Sequence, residues 1–304
     1  MQPTPSRNFL QQFWYDTRHN PITIKELRSR MRGRRAFIVL TGYLILVSAF
    51  VLLVYATYVS ASQQRYGPPT EEAGKALFGA VLTAQGFLVL IVGPAFTSGS
   101  ISGEKERQTY ELLRTTLMSP KTFVWGKLLS ALSYVFLLVS ASIPLLSIGF
   151  LLGGVALGEI FVSQLLVGVT AVTYALLGLY ASSILRTTLA ANVVTYAALL
   201  IFVTGIPVFM FISVALFDIY FDFAGEAIFF YFMLLLVSFN FPATVIASEA
   251  MLLTENTYFY FTETLGGWTV VIISPWILYT IFHIIIAFIL YRLCLRQNSR
   301  TPIH

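Results

Sequence analysis

The sequence predicts an all-α integral membrane protein with six transmembrane helices. Three observations carry that prediction. The 304 residues are 57% hydrophobic and only 11% charged, against roughly 25% charged in soluble domains. A chain this apolar cannot cover a water-facing surface, so its solvent is largely lipid. The charges are also segregated. Seven stretches lack Asp, Glu, Lys and Arg: 36–64, 76–103, 128–158, 160–185, 187–217, 227–248 and 264–291. Each exceeds the roughly 20 residues a helix needs to cross about 30 Å of hydrocarbon. Finally, runs such as Phe37-Ile38-Val39-Leu40 and Ile284-Ile285-Ile286 lack the alternating polarity of membrane β-strands.

Lys and Arg collect in cytosolic loops of membrane proteins, and this decides how many of the seven stretches cross. Residues 1–35 hold eight Lys and Arg, Lys25, Arg28 and Arg35 among them, which predicts a cytosolic N-terminal segment. Loop 99–127 holds Lys105, Arg107, Arg114, Lys121 and Lys127, the next cytosolic turn holds Arg186, and the tail holds Arg292, Arg296 and Arg300. Segment 218–263 holds Asp218, Asp222, Glu226, Glu249, Glu255 and Glu263 with no base, which suits the outer side. Only Arg65 and Lys75 of the 19 basic residues then fall outside. The assignment requires that 227–248 not cross. That stretch contains Ser238, Asn240 and Pro242, and proline interrupts helix hydrogen bonding. It reads as a broken re-entrant pair of short helices, tolerated at membrane depth where packed in protein or lining a cavity. The expected spans are Ala36–Val59, Ala76–Thr97, Phe123–Leu152, Ile160–Leu185, Leu189–Phe217 and Gly267–Leu293, with both termini cytosolic and a cytosolic tail over 294–304. The six-span domain covers 36–293.

Ahead of the first span, Asn20 and Pro21 make a favourable helix start. Ile24, Leu27 and Met31 form an apolar stripe, and Lys25, Arg28, Arg32 and Arg35 occupy much of the remaining surface. Such a helix suits the headgroup layer and reads as an N-terminal amphipathic elbow helix.

Loop 99–127 carries the densest charge pattern. Ser102 is placed to cap a helix beginning at Gly103 or Glu104. Glu104 and Glu106 fall in its first turn, where the helix dipole favours negative charge. Tyr110, Leu113 and Leu117 share one face. Glu104, Arg107, Glu111 and Arg114 can pair at three- and four-residue steps. Ser119-Pro120 ends the helix, because the residue before proline avoids the helical region. The expectation is one cytosolic helix over about 104–118, joined at both ends to membrane spans. A push on it would move two spans together.

The pattern Glu106-Arg107-Gln108-Thr109-x-Glu111-Leu112-Leu113, followed by Thr116-Leu117-Met118-Ser119-Pro120 and Gly126-Lys127, resembles the signature of ABC-2 type transporter permeases. The segment from Asn20 and Pro21 through Lys25, Glu26, Leu27 and Arg28 resembles that family's elbow region. The resemblance implies that 104–118 is the coupling helix between spans 2 and 3, docking on an ATPase through Glu104, Glu106, Arg107, Tyr110, Glu111, Leu113 and Arg114. Lys25, Glu26 and Arg28 would belong to the elbow. It implies the membrane subunit of an ATP-driven exporter in a bacterial or archaeal cytoplasmic membrane. A phosphate-binding Gly-x4-Gly-Lys-Ser/Thr loop occurs nowhere in the sequence. ATP and Mg are therefore expected in a separate ABC ATPase subunit, used in two copies, alongside a second permease chain that is either this chain or a relative. No cofactor is expected in this chain.

Other classes fare less well. A force-transmitting ABC membrane subunit usually carries a larger external domain. A membrane enzyme would gather ionisable groups at membrane depth, where His283 is the mid-span candidate and is best read as a hydrogen-bonded neutral side chain. His19, His283 and His304 lack metal-site spacing, and no catalytic or metal-binding residue is expected. The single cysteine, Cys294, excludes an internal disulfide. The net charge of +5 is explained by the cytosolic membrane face, not by nucleic acid. The many aromatics suit lipid contact and a hydrophobic or amphipathic cargo.

Overall fold

The computed structural model describes residues 34–62, 70–111, 119–220, 226–255, 257–265 and 268–299. It is mostly helical and holds six helical segments long and apolar enough to span a membrane. The described helices are α1 (Arg34–Ser62), α2 (Thr70–Thr97), α3 (Ser102–Glu106), α4 (Pro120–Ala141), α5 (Ile143–Leu151), α6 (Leu157–Ile184), α7 (Thr188–Leu200), α8 (Ile206–Tyr220), α9 (Glu226–Val237), α10 (Phe241–Glu255) and α11 (Pro275–Ser299). A π-helical turn, Ile201–Gly205, joins α7 to α8. The proposed elbow residues, Lys25, Glu26 and Arg28, lie outside the described residues.

The core is built on α2 and α6, which pack along each other. The α1 and α5 helices lie against α2, and α11 lies against α6. Val81, Val124, Ala171, Ala175, Leu179 and Tyr279 are fully enclosed. Where α2 meets α5, close approach depends on missing side chains. A Cβ added at Gly149 would sit 2.9 Å from the Gly74 carbonyl, and one added at Gly74 would sit 2.8 Å from that of Gly149. Gly153 turns the chain after α5 with φ 83°, a conformation that suits a residue without Cβ. By contrast α1 and α7–α8 bury little of their surface. Phe37, Leu52, Leu189 and Phe211 are all at least 66% exposed, an arrangement stable in lipid and not in water.

Buried polar side chains fasten the spans. Pro144 lacks the N–H that would continue the helix, and the third span bends between α4 and α5. Ser142 at the bend accepts from the Tyr43 hydroxyl (3.0 Å) and the Gln85 amide (3.1 Å). Gln85 and Gln164 exchange reciprocal amide hydrogen bonds of 3.2 and 3.1 Å. His283 is buried, with its Nδ1 3.0 Å from the Tyr279 carbonyl, in line with a satisfied core histidine.

Stretch 227–248 is divided as its Ser238, Asn240 and Pro242 suggested. At 1.5 Å per residue, α9 and α10 are only about 18 and 22 Å long, each shorter than the hydrocarbon layer. Asn240 accepts from the Ala243 N–H (3.0 Å), capping α10. Its amide donates to the carbonyls of Phe202 (2.8 Å) and Val203 (3.0 Å), inside the π turn. A π turn disturbs the regular carbonyl ladder, and Asn240 supplies donors there.

Two expectations need correction. The protein is not purely α-helical: strands β1 (Tyr260–Leu265) and β2 (Trp268–Ile273) form an antiparallel hairpin, with Tyr260 opposite Ile273 and Leu265 opposite Trp268. The last span accordingly begins at Pro275, not Gly267, and its helix continues to Ser299, beyond Leu293. Thr269, Val270, Val271, Ile272 and Ile273 are β-branched, a composition that fits a pleated surface. Val270 and Ile272 pack with Leu234 of α9 in a small second core. Proline at the first helical position then starts α11.

Candidate functional site

The loop from Gly99 to Lys127 gathers five helices at one end of the bundle. Ile101 and Ser102 are fully buried. Their backbone N–H groups both donate to Ser182 Oγ of α6, each at 2.9 Å. The start of a helix leaves N–H groups without internal partners. Here a hydroxyl from a different span takes two of them. This corrects the expectation that Ser102 caps the helix. Ile101 is the cap position and makes no side-chain cap, while Ser102 lies within the first turn and donates to the Ser98 carbonyl at 3.2 Å.

The three charged residues of α3 each act on another element. Lys105 Nζ lies 2.5 Å from the Ser183 carbonyl, 3.2 Å from that of Leu185 and 3.4 Å from that of Ser182. It thus caps the C-terminus of α6, where the dipole favours a cation. Burial, then the nearby Arg186 charge, pulls its pKa below the usual lysine value. Glu106 works on the following helix. One carboxylate oxygen accepts from the Thr188 N–H (2.9 Å) and the other from the Thr188 hydroxyl (2.7 Å), at the first turn of α7. The Thr188 hydroxyl, then the Thr188 N–H, holds the Glu106 carboxyl below the usual carboxylate range. Glu104 forms a 2.5 Å ion pair with Lys127 of α4, whose ammonium also donates to the Ser100 carbonyl at 3.2 Å. The expected pairing of Glu104 with Arg107 along one helix is replaced by this long-range pair.

The expected single helix over 104–118 is interrupted. Helix α3 has five residues and stops at Glu106. Thr109 N–H donates to the Glu104 carbonyl (3.0 Å) and Gln108 N–H to the Lys105 carbonyl (3.1 Å). These are the two bonds of a Schellman stop. Gln108 occupies the left-handed position with φ 57°, where glycine is usual. Helical backbone resumes at Tyr110 and Glu111, and residues 112–118, with Leu113 and Arg114, lie outside the described residues. Ser119 and Pro120 start the next helix: the Ser119 hydroxyl accepts from the Thr122 N–H at 3.2 Å and Pro120 opens α4.

Beyond the turn, Tyr110 reaches the last span. Its hydroxyl donates to Asn298 Oδ1 at 2.9 Å, and its ring meets that of Phe123 edge to face at 6.3 Å. Arg107, Gln108, Thr109 and Glu111 remain exposed. The predicted residues Glu104, Glu106 and Tyr110 therefore face the bundle, while Arg107 and Glu111 face away from it. Ser182, Thr188 and Asn298 join the site without having been singled out, and Lys127 of the quoted signature gains Glu104 as its partner. Thr187 and Thr188 before an apolar run are an N-cap signal in plain sight. Ser182 and Asn298 carry none, because each sits within a helix beside other polar residues, Ser183 in one case and Gln297 and Ser299 in the other.

No curated protein matches the sequence. A protein-family comparison matches residues 21–288 to the ABC-2 family transporter proteins, a range that contains the loop, the first five spans, the hairpin and the first half of the last span. The chain therefore belongs to the ABC-2 transporter family and is a multi-pass permease subunit of an ABC transporter.

Proposed function

We propose that this permease exports a hydrophobic or amphipathic substrate across a bacterial or archaeal cytoplasmic membrane, driven by a separate ATPase. Two ATPase copies, binding ATP and Mg, would act on two permease chains. The loop end would face the cytosol together with both termini, and the residues around Lys25, Glu26 and Arg28 would form the elbow. Helices α9 and α10 would re-enter from the outside without crossing.

One observation supports this reading above the others. The short helix α3 is fastened by Lys105, Glu106 and Glu104 to α6, α7 and α4, while Arg107 and Glu111 beside it stay exposed. Force applied at the exposed residues would reach three spans through short polar contacts. A two-span lever, as expected from connectivity alone, thus becomes a lever on much of the bundle. The sequence also contains no phosphate-binding loop of its own.

The test is reconstitution with the ABC ATPase that co-purifies with the chain. Arg107→Ala and Glu111→Ala should lower ATP-dependent transport of a fluorescent amphiphile at least tenfold, while the isolated ATPase keeps its hydrolysis rate. Glu106→Ala should lower transport and also loosen the α7 start. Failure to retain any ATPase through purification would end this reading.

A further inference from the structure

At the end opposite the loop, a cleft opens between α2, α6, α10 and the start of α11. Its inner wall is apolar, with Phe78, Leu82, Leu166, Val245 and Trp276. Its mouth holds Glu159 of α6, Ser248 and Glu249 of α10, and Thr257 and Tyr258. Neither Lys nor Arg is among the lining residues. We propose that this cleft binds an amphipathic organic cation, with a hydrogen-bond-donating ammonium head between Glu159 and Glu249 and an apolar body against Phe78, Leu82 and Trp276.

Three polar atoms at the mouth lack partners among the described residues: a carboxylate oxygen that can only accept and two hydroxyls that can accept or donate. Glu159 is held in place by one oxygen, which accepts from the Ala156 N–H at 3.2 Å. Its other oxygen, Oε2, is buried and has no hydrogen-bond partner among the described residues. Ser248 Oγ and Thr257 Oγ1 line the same cleft and are likewise buried without a partner. A buried polar atom left unsatisfied costs about 1–3 kcal/mol, so three around one opening are a considerable cost that a ligand would relieve. An ionised carboxylate is acceptor-only, which selects a donor. Two carboxylates in one cleft select a cation and reject an anion. Burial, then the Glu159 charge, raises the Glu249 pKa, and the Lys75 charge opposes this, so the pair interacts electrostatically and a bound cation would relieve it. The Trp276 indole N–H is already donated to the Tyr258 carbonyl at 2.7 Å, leaving its ring as apolar wall. A head of this kind on an apolar body fits the convergence of a few polar groups on a hydrophobic pocket.

Binding is read on the permease chain itself, so its failure would leave the ATPase-driven export reading standing, and failure of export would leave this site standing. The full chain is placed in nanodiscs of phosphatidylcholine, and radiolabelled phenethylammonium is measured by equilibrium dialysis. Saturable binding of one cation per chain is expected. Glu249→Gln and Glu159→Gln should each weaken it at least tenfold, since the amide keeps the shape and, at 159, an acceptor for Ala156. Neutral 2-phenylethanol and anionic 3-phenylpropionate should compete at least tenfold more weakly. Val245→Trp, which fills the cleft without touching a charge, should abolish binding and serves if an amide variant does not fold. Absence of saturable binding, unchanged affinity in both amide variants, or equal competition by the neutral alcohol would each overturn the proposal.

Discussion

The two ends of the bundle handle buried polar groups differently: among the described residues the loop end leaves one carboxylate oxygen, Glu104 Oε2, without a partner, and the cleft end leaves three atoms around one opening. At the loop end, Ser182, Lys105, Glu106 and Lys127 reach across helix boundaries and meet N–H groups, carbonyls and a carboxylate at 2.5–3.4 Å. At the cleft end, Glu159 Oε2, Ser248 Oγ and Thr257 Oγ1 meet nothing among the described residues. A satisfied polar network fixes one arrangement of the elements it joins. An unsatisfied one favours whatever supplies the missing partners. The first is suited to transmitting a displacement, the second to recognising a molecule.

The comparison breaks most readily at Lys127. Its side chain is 6% exposed and that of its partner Glu104 22% exposed. Removing one member of a buried ion pair typically costs about 3 kcal/mol. Lys127→Met should therefore lower the thermal stability of the purified chain markedly, whereas Lys121→Met, at an exposed position six residues earlier, should not. Equal melting of the two variants would show that the pair fastens nothing.

A sharper contrast uses the same substitution at both ends. Ser182→Ala takes one acceptor from two backbone N–H groups, and each buried donor left unsatisfied costs about 1–3 kcal/mol. With two donors, the loss should be at least about 2 kcal/mol. Ser248→Ala removes a buried hydroxyl that has no partner among the described residues, so the change should be about zero or slightly stabilising. If chemical denaturation of the two variants gave the same loss, the distinction between a satisfied and an unsatisfied end would fall.

The spans were legible because charge-free length is a local property: a window of residues contains the whole signal. The break at Ser238–Asn240 was legible for the same reason. The loop's partners were not, because Ser182 is 81 residues from Ile101 and Asn298 is 188 from Tyr110. Nothing near Ser182 in sequence distinguishes it from the neighbouring Ser183. The stop at Gln108 was hidden because a glutamine occupies a left-handed position that glycine usually announces. The hairpin carries a signal that competes with another. Gly266 and Gly267 separate two runs rich in aromatic and β-branched residues, a hairpin signal, but the absence of charge over 264–291 reads equally well as membrane helix.

The smallest effect concerns protons at the loop end. The Thr188 hydroxyl and N–H lower the Glu106 pKa relative to an unfolded chain. A depressed carboxyl contributes stability that is fully present above the unfolded value, about 4.3, and is lost as pH falls through the folded value. Glu106→Gln keeps the size and one acceptor of the side chain but cannot ionise. Wild type should therefore lose its margin over this variant as the pH falls below the ordinary carboxyl value of about 4.3 and keep it constant above. Tryptophan-fluorescence melting in a non-ionic detergent follows that margin. The contacts at Glu106 are exposed, so solvent screening keeps the change small, and a margin flat across the whole range would mean that Thr188 is held by shape alone.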